Sequence, residues 1–310
     1  MDFENVATSA NAEGAKPTIV TDPTLARALY EQYVVVPTKA MLEPSLPPKD
    51  TYTVNDYAVP VEGGEILVRC LVPVVQGKQE RFPVLVYLHG GGMCVGDVEL
   101  DDYPLRCWCV RNKISIVLVD YRLAPEHPFP TPLNDCLAAL MWTVSNTALL
   151  KADLSKGFIV GGHSSGTNLS VEGRRLTGQF LREGWVCHHD AYPERYKSKF
   201  RSIEENKDQV PVTKASMEHV YGWYQAPPSD PRVSPLLYPS HQGLPPAYIQ
   251  ASGLDVLRDD SVVYAKVLRE AGVDVKFDLY PESWHGHHYD DPIISHNAEE
   301  GLRWLLRHTS

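Results

Sequence analysis

A serine between two glycines is the first feature of this 310-residue chain that could do chemistry. The pattern G-x-S-x-G fits in one way, across Gly162–Gly166, and places Ser164 at its centre with Ser165 beside it. The apolar run 158–160 leads directly into the pattern and predicts a buried strand. A strand that turns sharply into a helix exposes the central side chain, and glycines on either side avoid clashes. Ser164 is therefore the candidate nucleophile, and an ordinary glycine-rich loop is the alternative.

A run of three glycines after a second apolar segment could bind a negative charge. The sequence LHGGGMCVGD overlaps the end of VLVYL, residues 84–88. Glycine has no side chain, so its backbone N–H group can approach a ligand closely. No Lys-Ser or Lys-Thr pair follows, which argues against a phosphate-binding loop, and a flexible turn is the other alternative. The candidate donors of an oxyanion hole are the N–H groups of Gly90, Gly91, Gly92 and Ser165.

A nucleophilic serine needs a base, and the base needs an acid that orients it. Among the histidines after Ser164, His285 is distinctive because it follows the alternating segment 273–280 in a short loop. Asp255 comes just after the apolar segment 247–251. Both residues would lie at the carboxyl ends of parallel strands, where α/β proteins form their sites. Asp255 and His285 are therefore the candidate acid and base.

Both residues also have a simpler interpretation. Asp255 precedes VLRDD and could be the N-cap of a helix, a role that is compatible with the first. His285 could be an ordinary surface-loop histidine. The sequence HGHH, from His285 to His288, could suggest a metal ligand, but no second ligand cluster accompanies it. We therefore expect no metal and no cofactor.

Solid apolar runs alternate with helical patterns through most of the chain. Such runs suit parallel strands that are buried on both faces. Helical patterns lie between some of them, and strand and helix alternate as in α/β proteins. The sequence therefore predicts an α/β fold with a mostly parallel central sheet flanked by helices. The apolar runs are residues 84–88, 114–119, 158–160 and 247–251.

Two segments interrupt this alternation and could cover a site. Asp22 could cap a helix over 23–35, which a proline-rich linker follows. Residues 188–240 form a long polar insertion with one helix-like segment. We predict an N-terminal segment with a cap helix over 1–48. The rest, 49–310, would be a catalytic domain whose cap insertion is 188–240.

Composition limits the partners of the chain. The formal charge is −10, and an acidic surface argues against nucleic acid and anionic membranes. No segment reaches the roughly 18 apolar residues of a membrane span. The six cysteines show no framework spacing, which indicates buried or free thiols in a reducing compartment. The polar N-terminus is unlike a signal peptide, so we expect a cytoplasmic protein. A homodimer is an assembly that the chain could form.

The chain resembles the hormone-sensitive-lipase-like branch of the α/β-hydrolase fold, and its fungal members above all. The resemblance runs from about residue 50 to 306 and implies that Ser164, Asp255 and His285 form a triad in the family's order. It also implies that the HGGG loop supplies the oxyanion hole. The matching motifs are HGGG (His89–Gly92), DYRLAPEHPFP (Asp120–Pro130), GGHSSGTN (Gly161–Asn168), GLDVLRD (Gly253–Asp259) and HG (His285–Gly286).

The chain departs from the family pattern at three motifs. The usual elbow G-D-S-A-G-G-N reads G-H-S-S-G-T-N here, so His163 and Ser165 occupy the positions beside the serine. The acid motif D-P-L-x-D reads D-V-L-R-D, with the key acid kept. The motif HGF reads HGH.

The segment after Ser164 is shorter than the family usually has. The next strand is predicted from Leu176, which leaves a helix of no more than about three turns for the crossover. We therefore expect apolar side chains of strands 158–160 and 176–181 to be exposed, and the protein to be marginally stable, with a partner subunit as one way to cover that face.

These features favour a serine hydrolase that cleaves carboxylic esters with small or medium acyl and alcohol groups. Its substrate would be a small-molecule ester, and the enzyme could act in a secondary-metabolite pathway. Acyl transfer uses the same machinery. The alternative is a catalytically weak or inactive ligand-binding protein on the same fold, which the short crossover favours and the presence of His285 opposes.

Overall fold

A central eight-stranded sheet organises the molecule. The computed structural model describes residues 20–75, 80–170, 176–289 and 291–308. The strand order is β1-β2-β4-β3-β5-β6-β7-β8, antiparallel at the β1–β2 and β2–β4 pairs and parallel at every later pair. The predicted α/β fold with a mostly parallel sheet is confirmed. The strands are β1 (Tyr52–Val61), β2 (Gly64–Pro73), β3 (Val84–Leu88), β4 (Ser115–Asp120), β5 (Phe158–His163), β6 (Gly178–Arg182), β7 (Ala247–Ser252) and β8 (Val275–Tyr280).

Helices connect the strands and cover both faces of the sheet. Short 3₁₀ turns occur between them, several in the segment that joins β6 to β7. That segment, residues 183–246, contains helices and turns but no strand and includes the predicted insertion, 188–240. The α-helices within the described residues are α1 (Pro23–Tyr30), α2 (Val36–Leu42), α3 (Glu99–Asn112), α4 (Thr131–Ser145), α5 (Ser165–Ser170), α6 (Ser202–Glu205), α7 (Lys214–Tyr224), α8 (Arg258–Glu270) and α9 (Pro292–Arg307).

The central strands β3, β4 and β5 are largely apolar and almost wholly buried, as expected for strands that helices cover on both faces. Ile159 of β5 belongs to a cluster with Trp108 of α3 and Leu302 of α9. Its neighbour Val160 points to the opposite face and belongs to a cluster with Ala139 of α4. Successive side chains of a strand alternate between faces, so this one strand contributes to two cores.

The N-terminal helix begins where the sequence predicts. The Asp22 carboxylate accepts a hydrogen bond from the Leu25 N–H at 2.7 Å and caps α1. The helical path then continues through a π-helical turn, Glu31–Val35, into α2. The linker predicted to follow residue 35 is therefore wrong at its start, since the chain stays helical through Leu42. Residues 1–19, predicted to be a loose segment, lie outside the described part.

The crossover helix is short, but the strands beside it are covered. Helix α5 has six described residues, and 171–175 lie outside the described part. Every residue of β5 and β6 is buried, so the predicted exposed face on these strands is wrong. The reason is the segment that joins β6 to β7, which packs onto α5: the Asn168 side-chain amide donates to the carbonyl oxygens of Trp185 and Val233, at 3.2 and 2.7 Å, and Trp185 belongs to the same apolar cluster as Val160 of β5.

The six cysteines are buried and none is in a disulfide, as their spacing predicts. Among the helices that the structure describes, none combines the length and apolar character needed to cross a membrane.

Candidate active site

Ser164 lies at a sharp corner between β5 and α5. Its φ is 55°, a left-handed value that non-glycine residues rarely adopt. Close packing enforces the corner: a Cβ added to Gly162 would lie 2.2 Å from the Leu88 carbonyl oxygen, and one added to Gly166 would lie 1.9 Å from it. The glycines of the G-x-S-x-G pattern are therefore required by space, as the sequence predicts.

His285 and Asp255 form a buried pair. The Nδ1 atom of His285 lies 2.7 Å from Oδ2 of Asp255, and the two residues are 6% and 1% exposed. The other oxygen of Asp255 accepts the N–H of Leu257 at 2.9 Å, just before α8 begins. Asp255 is not the N-cap of α8, which is Leu257, but its carboxylate accepts the N–H of that residue and contacts the imidazole. The interpretation of His285 as a surface residue is wrong.

The loops that carry these residues meet at one edge of the sheet. A Cβ added to Gly90 would lie 3.4 Å from the Ser164 Cβ, so the glycine loop is beside the serine. The rings of His163 and His285 have centroids 5.0 Å apart, so the imidazole of the buried pair lies next to the residue that precedes Ser164. The candidate nucleophile, base and acid thus come from the carboxyl ends of three parallel strands.

The glycine loop is held rigidly with donors left free. The His89 ring stacks on Tyr121 with centroids 4.1 Å apart, and the Tyr121 hydroxyl donates to the His89 carbonyl oxygen at 2.8 Å. Gly91 and Gly92 have φ values of 118° and 65°. Their N–H groups find no hydrogen-bond acceptor among the residues described here. Free N–H groups in a fixed loop are what an oxyanion requires.

Ser165 begins α5, where the first N–H groups lack intrahelical partners. Its side chain is buried, only 1% exposed. Ser165 therefore has a backbone position suited to the oxyanion hole, whereas its own hydroxyl is enclosed.

Electrostatics distinguish His285 from the other histidines at the site. Burial would lower its pKa, but the charge and hydrogen bond of Asp255 outweigh burial, and the charge of Glu183 adds to them, so the pKa is raised to about 9. For Asp255, burial is the largest effect and raises its pKa, while His285 lowers it. The pair therefore favours a protonated imidazole, which is the state that forms when a base takes a proton from serine.

A second acid–imidazole pair lies beside the first and was missed by the sequence analysis. Glu183 comes directly after β6, and its Oε2 accepts the Nε2–H of His163 at 2.8 Å. Both residues are buried. Burial lowers the pKa of His163 to about 4, despite the hydrogen bond and charge of Glu183. An acid at the carboxyl end of a parallel strand was the available sequence signal.

His163, Glu183 and His288 offer ligand atoms that lie within 4.8 Å of one another. Two imidazoles and a carboxylate could suit zinc. Glu183, however, already accepts hydrogen bonds from the His163 ring, the Ser252 hydroxyl and the Gly286 N–H. Hydrogen bonds from three donors therefore already engage the carboxylate of this cluster.

Comparison with known proteins identifies a family model, relatives and solved structures that are similar to this chain. A family model described as alpha/beta hydrolase fold matches residues 85–289. Versiconal hemiacetal acetate esterase from Dothistroma septosporum is 32% identical over 249 residues, which cover 75% of this chain and 76% of that protein. The crystal structure of vibralactone cyclase aligns with a TM-score of 0.91 and 34% identity, over 97% of this chain and 93% of that one. An esterase of Pyrobaculum calidifontis aligns with a TM-score of 0.79 and 28% identity, over 92% of each chain.

Proposed function

The chain belongs to the hormone-sensitive-lipase-like branch of the α/β-hydrolase fold family and is a carboxylic ester hydrolase; we propose that Ser164, His285 and Asp255 are its catalytic triad. The observation that carries the proposal is the buried 2.7 Å contact between His285 and Asp255, next to a serine in a left-handed corner. Chain order and strand positions agree with this assignment.

The reaction would proceed through an acyl-enzyme. The Ser164 hydroxyl attacks the ester carbonyl carbon while His285 accepts the hydroxyl proton at Nε2. The tetrahedral intermediate collapses, the C–O bond to the alcohol breaks, and His285 returns the proton to the departing alcohol. Water then attacks the acyl-enzyme with His285 again as the base, which releases the acid and restores the serine. Asp255 holds the Nδ1–H of His285 and stabilises the imidazolium.

The negative charge on the carbonyl oxygen needs donors that are already in place. We assign this role to the backbone N–H groups of the glycine loop and of Ser165. The free N–H groups of Gly91 and Gly92 support the assignment, as does the position of Gly90 beside Ser164. Such donors stabilise the transition state more than the substrate, so their main effect is on kcat.

Two segments would form a cap that limits the size of the ester. Val220 of α7 lies against Gly92, since a Cβ added there would lie 2.9 Å from one of its methyl carbons. Arg27 of α1 donates to the carbonyl oxygens of Cys94 and Ala124, at 3.0 and 2.9 Å. These contacts support the division into an N-terminal cap segment, 1–48, and a catalytic domain, 49–310, with an insertion at 188–240. A covered site favours small or medium esters.

A role in secondary metabolism is supported by the fungal relative whose name specifies an acetate ester of versiconal hemiacetal. A second candidate function follows from the cyclase. If a hydroxyl of the substrate attacked the acyl-enzyme instead of water, the same residues would close a lactone ring. Mass spectrometry of the products from a hydroxy-ester separates the two, because a lactone is lighter than the hydroxy acid by one water.

The direct experiment compares Ser164→Ala with Ser165→Ala on p-nitrophenyl acetate. We expect Ser164→Ala to lower kcat by about 10³-fold or more, and Ser165→Ala to remain measurably active because it keeps its N–H. Circular dichroism would establish that both variants are folded. An equal loss in both folded variants contradicts the assignment of Ser164. Absence of turnover by the wild type across a series of acyl lengths would favour the alternative of a ligand-binding protein.

A further inference from the structure

One buried carboxylate connects three loops of the site. Oε2 of Glu183 accepts hydrogen bonds from the His163 Nε2–H at 2.8 Å and from the Gly286 N–H at 2.7 Å. Its Oε1 accepts one from the Ser252 hydroxyl. These donors are 20, 103 and 69 residues away in sequence, so only the fold brings them to one carboxylate.

Each donor is tied to a different member of the triad. His163 is bonded directly to Ser164 through the backbone, and Gly286 is bonded directly to His285. Ser252 is the last residue of β7, the strand that leads into the loop of the acid. The corner between β5 and α5 is also fixed, because the Ser164 N–H donates to the carbonyl oxygen of Arg182, the last residue of β6, at 2.9 Å.

We propose that Glu183 is a positioning residue that holds the nucleophile, the base and the acid in register through these three hydrogen bonds. The inference rests on the proposed triad and adds a role for a residue outside it. Glu183 acts through its neighbours, and the base that it helps to place is already paired with its own acid.

The environment keeps this carboxylate ionised. Burial raises the pKa of Glu183, but the hydrogen bond of His163 and the nearby His288, whose Nδ1 lies 3.4 Å away, outweigh burial and hold the pKa well below its usual range. Glu183 is 3% exposed and adopts a φ of 49°, so the surrounding structure fixes it in a constrained conformation. The charged or titratable groups that face it are His163 from β5, Arg182 from β6, Asp255 from the loop after β7, and His285 and His288 from the loop after β8.

An ionised Glu183 should influence His285 in two ways. Its hydrogen bond to the neighbouring N–H fixes the loop, and misplacement of a reacting group by about 1 Å can cost roughly 10²-fold in rate. Its negative charge also stabilises the protonated imidazole. Removing the charge should therefore lower the pKa that governs the acidic limb of the pH profile. A role in stability alone would not move that limb.

The experiment compares Glu183→Gln and Glu183→Asp with Glu299→Gln. Glu299 is an equally buried acid, 3% exposed, but its partners are Arg111, Asn112 and Arg303, on elements that do not carry the triad. kcat and KM for p-nitrophenyl acetate would be measured from about pH 5 to about pH 10, together with the melting temperature.

We expect Glu183→Gln to lower kcat by about 10- to 100-fold with little change in KM, and to move the acidic limb down by about half a unit to one unit. Glu183→Asp keeps the charge but shortens the side chain, so kcat should fall while the limb moves less. Glu299→Gln should lower the melting temperature and leave kcat and the limb unchanged.

Wild-type kcat and an unmoved limb in folded Glu183→Gln would overturn the proposal, and so would the same changes in Glu299→Gln. If Glu183→Gln does not fold, Ser252→Ala removes a single donor and must still lower kcat; unchanged kcat there would also overturn it. Neither result would affect the triad, because the Ser164→Ala comparison tests the triad separately.

Discussion

Two acid–imidazole pairs lie side by side in this molecule, and we propose only one of them as a catalytic base. Asp255 with His285 and Glu183 with His163 have similar contacts, 2.7 and 2.8 Å, and all four residues are buried. The pKa of His285 is nevertheless raised to about 9, whereas that of His163 is lowered to about 4.

The difference lies in what else each carboxylate and ring contacts. Oδ2 of Asp255 contacts the Nδ1 of His285, and Oδ1 accepts one backbone N–H. The Glu183 carboxylate accepts hydrogen bonds from three donors in three loops. His163 also lies close to His285 and Arg182, and both further lower its pKa.

The comparison shows that an imidazole beside a carboxylate is not by itself a catalytic base. At His163 burial outweighs the hydrogen bond and charge of Glu183 and favours the neutral imidazole, whereas at His285 the charge and hydrogen bond of Asp255 outweigh burial and favour the protonated form. The ring of His163 is also packed against the glycine loop: a Cβ added to Gly90 would lie 2.7 Å from its Nδ1.

The same substitution in both histidines should separate the two roles most strongly. Glutamine can donate a hydrogen bond from about the same place as Nε2 but cannot accept a proton. We expect His285→Gln to lower kcat by about 10³-fold or more, and His163→Gln to lower it by about tenfold at most. Steady-state turnover of p-nitrophenyl acetate by both folded variants is the measurement. Equal losses would mean that His163 also transfers protons.

The acids can be compared in the same way. Asp255→Asn should lower kcat by about 10²- to 10⁴-fold, because the amide cannot stabilise the imidazolium and can impose the wrong tautomer on His285. The control is Asp259→Asn, four residues further on. Asp259 accepts the N–H groups of Arg201 and Ser202, at 2.6 and 2.7 Å, where α6 begins, so its change should cost stability, about 1 kcal/mol, and spare kcat.

Kinetics and urea unfolding of the two variants together check this prediction. If Asp259→Asn proved the more damaging change for kcat while remaining folded, the acid of the triad would be misassigned.

The sequence predicts the parts of the site that depend on local pattern. Ser164 follows from the spacing of glycines around a serine after an apolar strand, and His285 and Asp255 follow from their places after strands. Glu183 could not be found in this way. Its role depends on donors up to 103 residues away, and LREGW looks like any loop after a strand.

Two features of the fold do not follow from local sequence pattern. The exposed face expected beside α5 is covered by the segment that joins β6 to β7, and neither the length of a helix nor its composition reveals what will pack on it. The sequence analysis makes no prediction for helix α3, whose apolar pattern is interrupted by Asp101 and Asp102. In the structure both acids are buried, with Tyr87 and Arg106 as their hydrogen-bond partners.

The pH profile is the finest comparison of the two pairs. A free enzyme with protonated His285 cannot take the proton of Ser164, so kcat/KM should rise as the imidazole loses its proton. Because the pKa of His285 is raised to about 9, the rise should extend well above the ordinary histidine value of about 6.5. His163 is neutral throughout this range, since its pKa is lowered to about 4, and should contribute no limb there.

The measurement is kcat/KM for p-nitrophenyl acetate in steps from about pH 5 to about pH 10, with Ser164→Ala as the blank for spontaneous alkaline hydrolysis. For His163→Gln, kcat/KM should rise over the same pH range as in the wild type but reach a lower maximum. Asp255→Asn should move the limb down, because the main charge that stabilises the imidazolium is gone. A wild-type plateau that begins near pH 6.5 would show that the buried pair does not raise the pKa of His285. It would also remove the main difference in pKa between His285 and His163. Geometry alone would then distinguish the proposed base from the histidine that only donates a hydrogen bond.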